Sequence, residues 1–319
     1  MEQRAQAHLD DRIQAFYGTE FDEHDRLVGR SGQGLLEFER TQRAVTERVP
    51  AGSRVIDVGG AAGIHAAALA ERGDDVVLVD PVPRHVEQAA AHGTFTARLG
   101  DARELPAEAD SFDAALLLGP LYHLAERADR LRALSEAMRV VRPGGWVFAA
   151  GVSRLSALSW VTVVEPALDP DVERPVDGVL PDFWRRLIAE GGGGLGPRGF
   201  PGGHFHLADE LEREAVEAGL LDVTVIGLEG PGAQAIEVAR SHDPALVEAA
   251  RTLAHAFEAE PGLRDHSLDP PIVGLASVTR WVRWQGAVAK AFWLTVERPQ
   301  RRQRAHMVAR SRRESADPG

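Results

Sequence analysis

The chain alternates short apolar runs with stretches that carry a helical spacing of apolar residues. Four of these runs, each apolar on both faces, are residues 54–58, 76–80, 112–118 and 146–150. Strands that are buried on both faces of a parallel sheet have this pattern. Residues 124–141 place apolar side chains three and four positions apart, as an amphipathic helix does. This order predicts an α/β fold with a doubly wound, mainly parallel sheet over roughly residues 50–150.

Composition excludes several classes of protein. The 319 residues include no cysteine, which removes disulfides, zinc–thiolate sites, iron–sulfur clusters and thiol nucleophiles. No run of about eighteen apolar residues occurs, so we expect no transmembrane helix. Residues 1–12 are charged and lack the apolar stretch of a secretory signal. These features predict a cytoplasmic protein.

Charge is distributed unevenly along the chain. Residues 1–270 carry 26 basic and 45 acidic side chains, whereas residues 271–319 carry 10 basic and 3 acidic ones. An acidic body repels phosphate backbones, so nucleic acid is not expected as a partner. The basic, aromatic segment 272–304 is open to two interpretations. It either covers the acidic body of the same chain, or contacts an anionic membrane surface or a protein partner.

A glycine-rich bend follows the first predicted strand. Residues 57–63 read Asp-Val-Gly-Gly-Ala-Ala-Gly, and a predicted helix comes directly after them. Glycine is needed where the backbone must lie against a ligand with no Cβ in between. The start of the helix adds unpaired N–H groups. The bend is therefore a candidate ligand-binding loop.

Acidic residues end the next two predicted strands. Asp80 ends the second strand, and Asp101 follows the third predicted strand, residues 95–99. A carboxylate at the tip of the second strand can accept hydrogen bonds from both hydroxyls of a ribose. Asp101 would lie in the same crevice and could accept a hydrogen bond from an adenine amino group. The three strand ends together predict a cleft that binds an adenosine-like molecule.

At these motifs the sequence resembles the class I methyltransferases that use S-adenosylmethionine. The resemblance covers residues 55–151, including the bend, both acidic strand ends, the Gly119-Pro-Leu-Tyr-His123 segment and the Arg-Pro-Gly-Gly turn at 142–145. It implies a Rossmann-like, mainly parallel seven-stranded sheet with an antiparallel last strand. The residues that it implies for S-adenosylmethionine binding are Asp57, Gly59, Gly60, Gly63, Asp80, Asp101, Ala102 and Leu118.

One residue departs from the family pattern. The family usually has glycine in the middle of the first loop, where this chain has Ala61. An alanine is expected to fit this position if its φ is negative. In the resemblance, Gly59 and its neighbours contact the methionine portion, Asp80 the ribose, Asp101 the adenine, and backbone near Leu118 the sulfonium region.

Three histidines are candidates for contact with the methyl acceptor. His123 follows the fourth strand at the edge of the cleft, where it could act as a base near neutral pH or cap the next helix. His204 and His206 alternate as strand residues do, and could face the cleft from an inserted segment. No metal site is predicted, because two histidines without nearby carboxylate geometry rarely hold a metal.

The remaining segments are predicted to surround this core. Residues 1–49 are expected to form a helical lid, and in similar enzymes this segment, with Tyr17 and Arg26, folds over the cofactor. Residues 50–319 are then the methyltransferase domain, with an inserted lid at 151–206. A C-terminal insertion at 268–304 would precede a closing edge strand at 305–311.

The predicted reaction is methyl transfer from S-adenosylmethionine to O, N or C of a small, partly apolar molecule. A non-catalytic sensor or scaffold that binds the same cofactor is an alternative, since active methyltransferases can lack recognisable catalytic groups. An NAD-dependent oxidoreductase is a further alternative. Its loop, however, reads G-x-G-x-x-G, whereas Gly59, Gly60 and Gly63 follow Asp57, whose charge suits a pyrophosphate poorly.

Overall fold

A seven-stranded sheet forms the centre of the molecule. The structure is a computed structural model that describes residues 2–20, 25–168, 182–193, 201–260, 265 and 272–277. The strands of the sheet are β1 (Arg54–Val58), β2 (Asp75–Asp80), β3 (Thr96–Leu99), β4 (Phe112–Leu117), β5 (Val141–Gly151), β8 (Leu221–Gly227) and β9 (Ile272–Ser277). Two short strands, β6 (Gly192–Gly193) and β7 (Gly203–His204), pair with each other outside it. The strand order β3-β2-β1-β4-β5-β9-β8 confirms the predicted Rossmann-like α/β class.

Helices precede, connect and cover the strands. They are α1 (Glu2–Ala15), α2 (Gly32–Thr46), α3 (Ile64–Glu71), α4 (Pro83–Ala90), α5 (Arg127–Val140), α6 (Arg154–Ser159), α7 (Glu165–Leu168), α8 (Asp182–Glu190), α9 (Ala208–Ala218), α10 (Ala233–Ala239) and α11 (Pro244–Phe257). A short 3-10 turn, Pro120–His123, follows β4. Asp243 caps α11 through Oδ1, which accepts from the Ala245 N–H, and Pro244 occupies the first turn. No helix among the described residues combines the length and hydrophobicity needed to cross a membrane.

Alternating side chains of the strands pack into two separate hydrophobic cores, one on each face of the sheet. On one face of the sheet, Ile56 and Val58 of β1 pack in a cluster that includes residues of α5 and α9. On the other face, Val55 of the same strand packs in a cluster that includes residues of α3 and the end of α2. Successive side chains of a strand point to opposite faces, so a central strand must be apolar on both. The continuous apolar runs in the sequence follow from this double burial.

The antiparallel strand lies elsewhere than the sequence analysis expected. β9 (Ile272–Ser277) pairs antiparallel with β5 on one side and with β8 on the other, so it lies inside the sheet. It falls within residues 268–304, which were predicted as an insertion, and the closing edge strand was predicted at 305–311. The predicted insertion at 268–304 therefore contains a strand of the sheet itself. Residues 305–311 lie outside the described residues.

Candidate active site

A cleft opens where β1, β2, β3 and β4 end at their carboxyl edges. It measures about 1330 Å³ when its open mouth is included, which is above the range of about 300–1,000 Å³ that is typical of small-molecule sites. The predicted cofactor residues that line it are Asp57, Gly59, Gly60, Asp80, Asp101, Ala102 and Leu118. Gly63 does not line it; this residue caps α3 with a φ of 86°. Carboxyl ends of parallel strands are the usual ligand-binding edge of such a sheet.

Asp80 fastens the glycine-rich bend to the end of β2. Its Oδ2 accepts a hydrogen bond from the N–H of Ala61 at 3.0 Å, and its Oδ1 accepts one from the N–H of Val82 at 2.9 Å. The ring of His85 lies 3.2 Å from the same Oδ1. A carboxylate offers about four lone-pair sites. Asp80 can therefore hold the loop and still accept hydrogen bonds from a ligand.

Asp57 is buried beneath the same bend. A Cβ on Gly60 would lie 2.5 Å from its Oδ2, so the backbone can pass over the carboxylate only with glycine at this position. Oδ2 has no hydrogen-bond partner among the described residues. Burial, together with the charge of Asp80, raises the pKa of Asp57 to about 7. The site therefore contains a buried carboxylate that a cationic ligand would compensate.

Ala61 has a left-handed backbone. Its φ is 48°, so the condition under which the sequence analysis expected an alanine to fit, a negative φ, is not met. The Ala61 N–H must point at Asp80, and the loop reaches that geometry in the conformation that glycine adopts without strain. An alanine in this region costs roughly 1–2 kcal/mol. This position therefore stores strain at the site.

Asp101 pairs with an arginine that the sequence analysis missed. Arg103 donates from Nε to Oδ1 at 2.9 Å and lies 2.5 Å from Oδ2 through Nη2. Burial alone would raise the pKa of Asp101, but the hydrogen bonds and charge of Arg103 outweigh it and lower that pKa. The same guanidinium contacts Asp10 on α1. No local pattern announces a contact between residues 93 positions apart.

The N-terminal segment supplies one wall of the cleft. Ile13 and Gln14 of α1 line it, followed by Tyr17, whose hydroxyl lies 3.1 Å from Nε2 of His123. Burial lowers the pKa of His123 to about 3, although a hydrogen bond to the backbone of Gly202 acts to raise it. The imidazole is therefore neutral over the whole physiological range. A neutral ring nitrogen can accept a hydrogen bond from the hydroxyl of Tyr17.

Two histidines that line the cleft, His65 and His85, were not singled out from the sequence. His65, near the start of α3, stacks on Phe38 and contacts the amide of Gln42 through Nδ1 at 2.9 Å. Burial and the charge of Arg26 lower the pKa of His65 to about 4. Arg26, which was expected to lie over the cofactor, lines the cleft and donates to both carboxylate oxygens of Glu37 at 2.7 and 2.9 Å.

His204 and His206 do not line this cleft. His204 lies 2.9 Å from Glu210 of α9 through Nε2, and His206 lies 3.2 Å from Glu214 of the same helix. His206 is fully buried. Arg130 completes the cluster with hydrogen bonds of 2.9 and 2.6 Å to the two oxygens of Glu214. The sequence analysis expected these histidines to face the cleft, but the structure places them in a buried charge network.

The network also differs from the expectation that no carboxylate lies close. Ligand atoms of His204, His206 and Glu214 lie within 4.8 Å of one another. Hydrogen bonds to His206 and Arg130 overcome the effect of burial and lower the pKa of Glu214 to about 2. A divalent cation here would lie beside the Arg130 guanidinium. The cluster is thus better suited to a hydrogen-bonded network than to a metal.

The strand order and the cleft define a Rossmann-like domain with an open cleft at the carboxyl edge of its sheet. Residues 56–149 match the family model described as a methyltransferase domain. An uncharacterized methyltransferase of Mycobacterium tuberculosis is 39% identical over 137 residues, which are 41% of this chain and 55% of that protein. These matches confirm, for residues 56–149, the resemblance to the class I S-adenosylmethionine-dependent methyltransferases that is seen in the sequence.

Other relatives share part of the chain. A ubiquinone biosynthesis O-methyltransferase of Methylocella silvestris is 36% identical over 108 residues, 32% of this chain and 41% of that protein. A crystal structure from Thermotoga maritima, described as a possible histamine N-methyltransferase, has a TM-score of 0.45 and 20% identity, and the match covers 68% of this chain and 83% of that one. The chain spans about half the length of the curated relatives it matches.

Replacing Ala61 by glycine should stabilise the protein. Glycine removes the left-handed strain, and its higher entropy in the unfolded chain offsets part of that gain, so we expect the free energy of unfolding to rise by about 0.5–1 kcal/mol. Urea denaturation measures it. Ala62→Gly, at a neighbouring residue whose φ is not positive, should lower stability. An equal loss in both variants would contradict strain at position 61.

Proposed function

We propose that the protein transfers a methyl group from S-adenosylmethionine to O, N or C of a small, partly apolar molecule. The observation that carries this proposal is the buried Asp57 carboxylate, whose Oδ2 has no partner among the described residues. It lies in the cleft that Asp80 and Asp101 also line. A cofactor with an ammonium and a sulfonium group would supply positive charge to compensate this carboxylate. The absence of cysteine supports a cytoplasmic location.

The residues present fit this cofactor. Asp57 and the backbone of Gly59 and Gly60 would hold the methionine portion, Asp80 the ribose, and Asp101 with Ala102 the adenine. When bound, S-adenosylmethionine supplies a methyl group that its sulfonium charge activates. The pyrophosphate of a nicotinamide cofactor would lie against the carboxylate of Asp57, and the same geometry therefore speaks against the oxidoreductase alternative.

We propose that the chain contributes positioning more than proton transfer. A general base works best when its pKa is near the operating pH, and the pKa of His123 is about 3. His123 would instead hold the hydroxyl of Tyr17 at the acceptor end of the cleft. Placing a reactant in the correct geometry can itself provide a large part of a rate enhancement.

A small acceptor fits the surroundings of the cleft. Helix α1 borders it through Asp10, Ile13 and Gln14, which narrows the access that a macromolecule would need. Apolar residues such as Leu27 and Leu124 line it beside the polar groups. The alternative of a cofactor-binding sensor keeps the same cleft but predicts no transfer.

The direct test uses S-adenosylmethionine with a tritiated methyl group. The purified protein is incubated with a cell extract that has been divided into an ultrafiltrate and a macromolecular fraction. We expect a tritiated methylated product, distinct from S-adenosylmethionine, to form with the ultrafiltrate only. Binding of the cofactor without labelled product in either fraction would favour the sensor, and labelled macromolecules would contradict a small acceptor.

Asp80→Asn should weaken binding of S-adenosylhomocysteine at least about tenfold. The amide keeps one acceptor oxygen but turns a second donor toward the backbone N–H groups that Asp80 now binds, so both the loop and the ribose contact suffer. Isothermal titration calorimetry measures the affinity. Asp75→Asn, at the exposed start of the same strand, is the matched control and should bind like the wild type. Equal affinity in all three proteins would remove the ribose assignment.

Binding of S-adenosylmethionine should strengthen as the pH rises through about 7. The pKa of Asp57 is raised to about 7, so below that pH its carboxyl is largely neutral in the free protein and must lose its proton to pair with a cation. Calorimetry in buffers of different ionisation enthalpy should detect proton release below neutral pH. Asp57→Asn should bind more weakly and lose this pH dependence. The same dependence in the variant would assign it to another group.

A further inference from the structure

One arginine joins three elements at the Asp101 end of the cleft. Arg103 follows β3, and its Nη2 lies 3.0 Å from Oδ2 of Asp10 on α1 and 2.5 Å from Oδ2 of Asp101. Its Nη1 lies 3.5 Å from Oδ2 of Asp129 on α5. The Arg103 side chain is 21% exposed, so water reaches it only in part. Three carboxylates therefore share one mostly buried cation.

The charges at this point do not balance within the cluster. One guanidinium has five N–H donors, whereas three carboxylates offer about twelve lone-pair sites. Acceptor capacity is therefore left over beside Asp101, where a ligand amino group could use it. A ligand bound there would also displace water from around the Asp10–Arg103 ion pair. Ion pairs strengthen when they are shielded from water.

Polar contacts attach helix α1 beside the cleft, in addition to the buried apolar side chains of Leu9 and Ile13. Asp10 contacts Arg103, and one turn earlier the Gln6 side chain accepts from the N–H of Ala125 at 3.0 Å and donates to the carbonyl of His123 at 3.3 Å. Gln6 also donates to Asp10 at 2.7 Å, which links the two attachments. A ligand under α1 could leave more easily if these contacts opened.

We propose that Arg103 is a positioning residue that couples the nucleoside end of the cleft to α1, so that the Asp10–Arg103 contact retains the bound cofactor. The inference rests on the proposed function, since Asp101 is the residue assigned to the adenine. Arg103 fixes both oxygens of Asp101 and holds α1 through the same guanidinium. Release of the ligand then requires the Asp10 contact to break.

The test compares Asp10→Asn with Asp11→Asn, using S-adenosylhomocysteine as the ligand. Both variants remove one negative charge from α1, but Asp11 is exposed and does not line the cleft. Surface plasmon resonance on the full chain measures both rate constants. We expect Asp10→Asn to dissociate about three to five times faster, with an association rate within about twofold of the wild type. Asp11→Asn should match the wild type in both.

Salt and hydrogen exchange provide readouts that do not depend on turnover. Raising sodium chloride from about 50 mM to about 500 mM shortens the Debye length several-fold, and should speed dissociation from the wild type more than from Asp10→Asn. Without ligand, amides of α1 should exchange faster in Asp10→Asn than in Asp11→Asn. Circular dichroism verifies that both variants fold. Arg103→Lys, which keeps the charge but not the three-way geometry, should also release the ligand faster.

The outcomes separate this inference from the proposed function. If the wild type does not bind S-adenosylhomocysteine, the proposed function fails. If it binds and Asp10→Asn releases the ligand at the rate of Asp11→Asn, the coupling through Arg103 is wrong and the cofactor site stands. Faster release with an unchanged exchange rate in α1 would also overturn the coupling, because the helix would then not be held by Asp10.

Discussion

Two buried carboxylates at the ends of adjacent strands determine how the cleft is built. Asp80 accepts hydrogen bonds from the backbone N–H groups of Ala61 and Val82, and so holds the bend in place. Asp57 lies beneath that bend, with Oδ2 unpartnered among the described residues. A buried carboxylate without a partner costs free energy in the free protein. A cationic ligand would remove this unfavourable term when it binds. The burial of Asp57 would therefore contribute to the free energy of ligand binding.

In the network on α9, by contrast with Asp57, each carboxylate has partners that can carry positive charge. Glu214 is matched by Arg130 and His206, and Glu210 by Arg154 and His204. Such pairs contribute little net stability but are costly to break singly. They attach the segment before α9 to that helix, and the same segment lies so close to the turn that carries His123 that a Cβ on Gly203 would overlap the carbonyl oxygen of Tyr122. The predicted role of His204 and His206 at the acceptor thus becomes, in our interpretation, an indirect one.

Sequence patterns predicted the parts of this molecule that depend on local chemistry. Strand β1 was predicted with its observed bounds because double burial leaves a continuous apolar run. The place of β9 could not be predicted, because a six-residue strand shows nothing of the two distant strands that flank it. The Asp10–Arg103 pair and the φ of Ala61 likewise depend on tertiary contacts.

The division of labour in the cleft follows from the chemistry it would serve. Transfer of an activated methyl group requires mainly that the acceptor lie in line with it. The strand ends at the sheet edge would then be available to bind the cofactor. The acceptor must then be selected by what covers that edge, namely α1 and Tyr17 with the turn at His123. A fold of this class supports many reactions through such covering segments. Because Gln6 and Asp10 attach α1 to the segment after His123 and to Arg103, retention of the proposed cofactor and access of the proposed acceptor would depend on the same helix.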